Sequence, residues 1–431
     1  MTSILIKNGR LIDPSQNIDG PRDMLLKNGL VAALERPGAL PEAGSRVIDA
    51  RNRWVLPGLI DMHVHLREPG HEYKETVASG ARAAAAGGFT AVVAMPNTSP
   101  VMDKAEVAAA VMAKGRQAGA ARVWPAAAMT LGRQGEELAE YEDLKAAGAV
   151  AVTDDGAWVT DPKVFRRVLD YAAVTGLPAL SHAEDHALSK GGAVHEGRVS
   201  TRLGLPGIPA QAEINAVMRD INMVELSGRP LHFCHISTAG AIEAIRAAKK
   251  RGLPVSCETA PHYLFLTHEA VGDYDANAKM NPPLRAPEDM AALRAALTDG
   301  VVDVIATDHA PHSVLEKEVE FIDAAFGVIG LETSLPLMME LVAAGVITPG
   351  RLAELMSTRP AALLNLPGGS LAPGRPADVT IVDPDLSFAL KPEDSLSLSK
   401  NSPFWGRPFK GRATQVIVGG IIVHELAKAE G

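Results

Sequence analysis

Over residues 2–53 the apolar positions come in short runs broken by turn formers. ILIKNGRLID, DMLLKNGLVAAL and RVIDA read as strands punctuated by Asn-Gly, Pro and Asp. The C-terminal portion has the same texture, with PADVTIVDP and ATQVIVGGIIVHE bracketing a Pro/Ser-rich stretch. Two strand-rich ends around a different middle predict one small β domain built from both termini, residues 1–54 and 366–431.

The rhythm changes over 55–365. Apolar runs at 55–66, 90–97, 123–130, 149–155, 178–184, 230–237, 254–264 and 302–309 alternate with Ala-rich helical stretches such as 101–118, 161–175, 210–227 and 239–251. Strands that are apolar throughout are buried on both faces, as in a parallel sheet. Eight such alternations over roughly 250 residues predict an α/β fold, a TIM-type (β/α)8 barrel, with the β domain as a small β-sandwich. An open doubly wound sheet is the alternative. It lacks support, because no GxGxxG follows an early strand and no GxxxxGK[ST] loop occurs.

Composition narrows the function. The 431 residues are 47% hydrophobic and 22% charged, enough to bury a large core. Asp and Glu outnumber Lys and Arg, 51 to 42, giving a net charge of -9. That argues against nucleic-acid or membrane partners, which need a basic surface. It leaves room for an anionic small substrate held by one well-placed Arg. Two Cys, no signal-peptide core (Lys7 and Arg10 interrupt the first apolar run) and no apolar run of about 20 residues predict a reduced, cytoplasmic protein.

Polar residues gather at the C-terminal ends of the predicted strands, where barrel enzymes build their sites. The first strand carries DMHVHLREPG, residues 61–70. His63 and His65, at i and i+2, share one face of a strand and can share one metal. Later strand ends supply Asp154 and Asp155 in TDDG, His182 in SHAED, His232 and His235 in HFCHIST, and Asp308, His309 and His312 in ATDHAPH. Imidazoles and carboxylates without thiolates suit a catalytic Zn2+ site of one or two ions. Strand alternation allows only one of His232 and His235 to face inward, and His232 reads as a packed residue or one that supports a ligand from behind. His235 is nearer the strand's end, which also places Cys234 on the opposite face. By the same alternation Asp308 faces inward rather than His309. The adjacent Asp154 and Asp155 leave the choice of metal ligand open. His71, His186, His195, His268 and His424 read as solvated or capping residues, and His262 is left undecided.

HVHLREPG, PNT at 96–98, TDDG, SHAED, HIST, MNPPLR at 280–285 and ATDHAPH, in that order, resemble the cyclic amidohydrolases, and among them the class I bacterial dihydroorotases. One departure is Tyr263 in PHYLFLT, where the family pattern leads one to expect a second His. The resemblance implies reversible, zinc-dependent cyclisation of N-carbamoyl-L-aspartate to L-dihydroorotate. It implies His63, His65 and Asp308 around one zinc, His182 and His235 around a second, and Asp155 between them. Asp308 would be the general base and then acid. Arg67, two residues beyond His65, would grip the substrate carboxylate. Asn97, Asn281, His312 and backbone groups of Phe326 and Gly327 would complete the substrate site. The resemblance further implies a homodimer and an association with aspartate carbamoyltransferase.

Two other functions stay in view. A dihydropyrimidinase or allantoinase would need no Arg for a carboxylate and would bridge its metals with a carbamylated Lys, which TDDG lacks. A non-catalytic scaffold would lack some of the ligands, all of which are present here.

Overall fold

The computed structural model describes residues 3–427. Residues 1–2 and 428–431 of the expected β domain lie outside the described residues. Both termini enter one eight-stranded sheet. Its spatial order is Ile421–Glu425, Pro408–Val418, Val379–Ala389, Trp54–Pro57, Ser3–Asp13, Ile18–Lys27 and Leu30–Glu35, with Arg46–Asp49 also paired to Ser3–Asp13. Trp54–Pro57 is the seam. It runs parallel to the first strand and antiparallel to Val379–Ala389. Ile4, Ile6, Met24, Leu26, Val55, Val379, Ile381 and Ile417 form the sheet's own core.

Eight parallel strands make the barrel: Leu59–Val64, Phe89–Ala94, Arg122–Ala127, Ala151–Val152, Leu180–Ser181, Leu231–Phe233, Val255–Thr259 and Val304–Ile305. Two arcs of four strands are joined by single parallel bridges, Val152 to Ala179 and Val64 to His309, so the sheet closes on itself. The interior is filled by Ile60, Met62, Ala91, Val93, Ala126, Ala151, Leu180, Cys234, Val304 and Ala306. Ala361, Leu364 and Leu366 plug its bottom. A filled interior leaves only the mouth for chemistry.

The barrel strands are all shorter than their apolar runs, and two runs are broken by a change of element. The run 55–66 is two strands, because the chain turns from the terminal sheet into the barrel at Gly58. The run 254–264 stops at Thr259, and Pro261 opens a short helix, Pro261–Phe265. Proline has no N–H for the ladder, and its fixed φ suits a first helical turn.

Gly58 is packed from both sides. Its N–H donates to Asp378 O at 2.9 Å and its carbonyl accepts from Ser357 Oγ at 2.7 Å. A Cβ there would lie 2.2 Å from Thr90 Oγ1 and 2.4 Å from Thr90 Cγ2. The β-branched Thr90 side chain has little rotamer freedom with which to move aside. Overpacking of this kind costs about 1–3 kcal/mol. Gly58→Ala should lower unfolding stability by that amount in urea titration. An unchanged midpoint would show that the seam is loose.

Candidate metal centre and active site

Asp155 sits at the centre of the mouth. Its Oδ1 lies 3.2 Å from His63 Nε2, 3.4 Å from His182 Nδ1 and 3.7 Å from His235 Nε2. Its Oδ2 lies 3.5 Å from His65 Nε2 and accepts from Asn97 Nδ2 at 3.3 Å. Asp308 Oδ1 is 3.1 Å from His65 Nε2 and 3.7 Å from His63 Nε2. On the other side His182 Nδ1 and His235 Nε2 are 2.8 Å apart. Four imidazoles and two carboxylates thus converge, and all six residues are buried. Asp154 turns away into the wall. It accepts from the N–H groups of Met129 and Thr130, at 2.8 and 3.1 Å, and from the Thr130 hydroxyl.

The backbone departs from regular strand geometry where it delivers these groups. Pairing of the first two strands shifts register between Asp61 and Val64. An irregularity of this kind re-aims side chains, and here both Met62 and His63 serve the interior. His235 and Asp308 have φ of 33° and 48°, in the left-handed region. The sixth strand has ended at Phe233, so alternation no longer governs His235. The expectation from alternation for Cys234 therefore fails. Cys234 faces the barrel interior, with its sulfur within 4.8 Å of ligand atoms of His63 and Glu258. His232 is buried and holds Glu258 from behind, with Nε2 3.3 Å from Glu258 Oε2 and Nδ1 2.8 Å from Ser256 Oγ.

Three of the four imidazoles are oriented through their other nitrogen. His63 Nδ1 meets Glu258 Oε1 at 2.8 Å, His65 Nδ1 meets Asn97 Oδ1 at 2.8 Å, and His182 Nε2 meets Glu184 Oε2 at 3.0 Å. Partners of this kind set the tautomer and aim the remaining lone pair at a metal. Below them Asp61 accepts from His63 N, Thr307 N and Thr307 Oγ1, at 3.2, 3.1 and 2.5 Å. It stitches the first strand to the eighth directly beneath the site. Glu258 and Glu184 were not singled out from the sequence. The available signal was a lone carboxylate inside the apolar run VSCET, and a second acid two places after His182.

The site demands positive charge. Burial works against every charged form here. Even so, the Asp155 carboxylate, with Cys234 and Glu258, raises the His63 imidazolium well above its ordinary value. Asp155 and Glu184 push His182 up to about 10. Asp155 and Asp308 are correspondingly held below the usual carboxylate range by the surrounding imidazoles, against their burial. His63 Nε2 and Asp155 Oδ1 are buried, face each other and have no hydrogen-bond partner. Two orphaned ligand atoms in a nitrogen and oxygen donor set fit a bound divalent cation.

The other sequence-derived residues line the approach. Arg67, at φ 62°, is half-buried. Its Nε donates to Pro311 O at 3.1 Å and its Nη2 lies 3.2 Å from His312 Nε2. Burial lowers its guanidinium to about 10, so it stays charged at neutral pH. Asn281 Nδ2 donates to Glu184 Oε2 at 2.9 Å, while its Oδ1 is buried without a partner. Gly327 is less available than expected. Its N–H donates to Lys279 O at 2.9 Å, and its carbonyl accepts from Lys317 Nζ at 2.9 Å and Asn401 Nδ2 at 3.0 Å. The Phe326 ring packs under Lys279 Nζ at 4.5 Å. His262 is buried beside Tyr263 and kept neutral, burial lowering it to about 4. His195 and His268 are buried rather than solvated, their rings tilted against each other and His195 beside Arg285.

A family model described as "Dihydro-orotase-like" matches residues 52–241. The chain is 52% identical to the dihydroorotase of Anaeromyxobacter dehalogenans over 99% of both chains. It is 52% identical to that of Pelobacter propionicus over 98% of this chain and 99% of the relative. The chain belongs to the dihydroorotase family. Its fold is shared more widely. L-Hydantoinase (dihydropyrimidinase) from Arthrobacter aurescens superimposes with a TM-score of 0.87 at 27% identity, covering 99% of this chain and 96% of that one. D-Hydantoinase (dihydropyrimidinase) from Thermus sp. superimposes with a TM-score of 0.78 at 24% identity, covering 98% and 95%. Family and fold together make this an amidohydrolase barrel, with candidate metal ligands gathered at its mouth. Within that fold the dihydroorotase-family chain places a carboxylate, Asp155, between its imidazoles.

The protonation pattern has a measurable consequence. Without metal, His63 and His182 hold protons at neutral pH, His182 up to about 10. A metal needs the imidazole lone pairs and must displace those protons. Metal binding at pH 7 should release about two protons per fully loaded site, and affinity should rise as pH rises toward 9. Calorimetry in buffers of differing ionisation enthalpy reads this directly. Proton-neutral binding would contradict the electrostatic picture.

Proposed function

We propose that the protein is a zinc-dependent dihydroorotase that interconverts N-carbamoyl-L-aspartate and L-dihydroorotate in pyrimidine biosynthesis. The observation that carries the reading is the pairing of an Asp155-centred imidazole cluster with a half-buried Arg67–His312 pair at the same mouth. His63, His65 and Asp308 would hold one zinc and His182 and His235 a second, with Asp155 shared. Bound zinc would make hydroxide available near neutral pH and polarise the scissile carbonyl.

The chain's own residues supply the rest. Asp308 takes the proton of the attacking water and returns it to the departing ring nitrogen. Its depressed pKa keeps it ionised and ready to accept. Arg67 offers parallel N–H donors to the carboxylate that lies outside the reacting amide, a fork that Lys cannot reproduce. His312 and Asn281 add polar contacts from either side. Asn97, already bonded to His65, orients that imidazole and faces the substrate. Of the Phe326–Gly327 pair, Phe326 is the member with backbone groups left for the pyrimidine edge in this reading. The fully engaged Gly327 shapes the loop.

Small-molecule turnover needs no membrane, and among the described residues no helix is long and apolar enough to cross one. The reading carries with it a cytoplasmic homodimer able to associate with aspartate carbamoyltransferase, checked by sedimentation of the protein alone and in mixture.

Activity on dihydroorotate, set against dihydrouracil, hydantoin and allantoin, tests the reading. Charge-assisted hydrogen bonds contribute roughly 1.5–3 kcal/mol each. Arg67→Met should therefore lower kcat/KM for dihydroorotate by on the order of 100-fold or more, with metal content intact. Any turnover of the uncharged rings should be little changed. Preference of the unmutated protein for an uncharged ring would replace this reading with a hydantoinase-type one.

A further inference from the structure

The Pro/Ser-rich stretch between the last strands leaves the terminal sheet and lies along the barrel mouth. It first fastens to the loop that follows the first barrel strand. Ser399 Oγ donates to Lys74 O at 2.6 Å, and Leu398 N donates to Glu75 Oε1 at 3.1 Å. The Ser397 hydroxyl bonds the same carboxylate, which also lies 3.4 Å from His309 Nε2. The stretch then fastens to the loop that follows the eighth strand, through Asn401.

Asn401 is only 4% exposed, and its amide is fully used. Nδ2 donates to Ala310 O and to Gly327 O, both at 3.0 Å. Oδ1 accepts from His312 N at 3.0 Å, and its backbone carbonyl accepts from Ile329 N at 3.0 Å. One side chain thus ties both limbs of the 310–329 loop. Lys317 tightens the same loop, its Nζ donating to Lys279 O, Ala325 O and Gly327 O at 3.1, 2.8 and 2.9 Å. Gly327, at φ 147°, sits so close that a Cβ would lie 2.9 Å from His312 Cδ2. The two loops joined in this way are those that bear Arg67 and His312.

We propose that Asn401, delivered by the C-terminal segment, is a positioning residue for substrate binding that sets the Arg67–His312 pair at carboxylate-gripping distance. The inference rests on the reading of Arg67 as the carboxylate grip. Asn401 touches His312 through its backbone N–H, so its effect reaches the substrate through placement. Removing the amide takes their partner from Ala310 O and His312 N, leaves Gly327 O to Lys317 alone, and lets the loop relax away from Arg67. Placement errors of about 1 Å weaken a binding site severely.

The test is a double-mutant cycle on the zinc-loaded full chain, with dihydroorotate as substrate. Asn401→Ala should raise KM about tenfold, the scale of a few lost neutral hydrogen bonds, with kcat within about threefold and zinc content unchanged. In the Arg67→Met background the same substitution should add less than about twofold, because the group it positions is gone. Unchanged KM, or equal losses in both backgrounds, overturns the proposal. If Arg67→Met alone leaves KM and kcat/KM unchanged, the carboxylate reading itself fails, and that single variant reports it separately. Should Asn401→Ala not fold, Asn401→Ser, which keeps one hydroxyl donor, is read in the same way. Loss of fold in both assigns Asn401 to folding alone and overturns the proposal.

Discussion

A desolvated carboxylate surrounded by four imidazoles is the constraint on which the rest of this structure depends. Asp155 cannot stay ionised in the barrel mouth unless positive charge faces it, and charge of either kind is costly to bury unpaired. The imidazoles of His63, His65, His182 and His235 provide the facing nitrogen atoms, 3.2–3.7 Å away. Each needs a fixed tautomer, which explains why Glu258, Asn97 and Glu184 are buried or half-buried against their far nitrogens. A metal-ligand set arises here from a requirement for charge compensation, and the same requirement sets its dependence on pH.

Barrel closure makes that arrangement rigid. The first and eighth strands meet by a single bridge at Val64 and His309, a thin contact for the seam of a barrel. Asp61 reinforces it from within by bonding Thr307, and Glu75 reinforces it from outside by joining His309 to the C-terminal segment. The terminal β domain therefore does more than cover the barrel's flank. Its last excursion reaches the loops of both seam strands, which carry Arg67 and His312, the proposed grip on the substrate carboxylate. Distant parts of the chain, Asn97, Asn281 and Asn401, converge around the mouth as neutral amides; Asn97 and Asn401 donate and accept at once, and Asn281 donates to Glu184.

The residue types of the centre were legible from the sequence because metal chemistry restricts them. HVH, TDDG, SHAED, HIST and ATDHAPH each end an apolar run, and the alternation of runs announced the barrel. What alternation could not convey was geometry beyond the strand ends. His235 and Asp308 adopt left-handed backbone, and the first strand changes register at Asp61–Val64, so the parity argument misplaced Cys234. The run 55–66 reads as one strand because Gly58 differs from its apolar neighbours only in what it lacks. Glu258 was hidden for the opposite reason. A lone acid in a strand looks like an exception until His63 is seen against it. Asn401 carried no local signal, since its partners at 310, 312 and 327 are far away in sequence.

The central claim is that Asp155 belongs to the metal. Anomalous diffraction at the zinc absorption edge, on crystals of the zinc-loaded protein, tests it most directly. The account predicts anomalous density bonded to Asp155 and shared with His63 and His65, with a second peak beside His182 and His235 if both sites fill. Density ligated by Asp154, or density at the barrel mouth that leaves Asp155 uncoordinated, would contradict it.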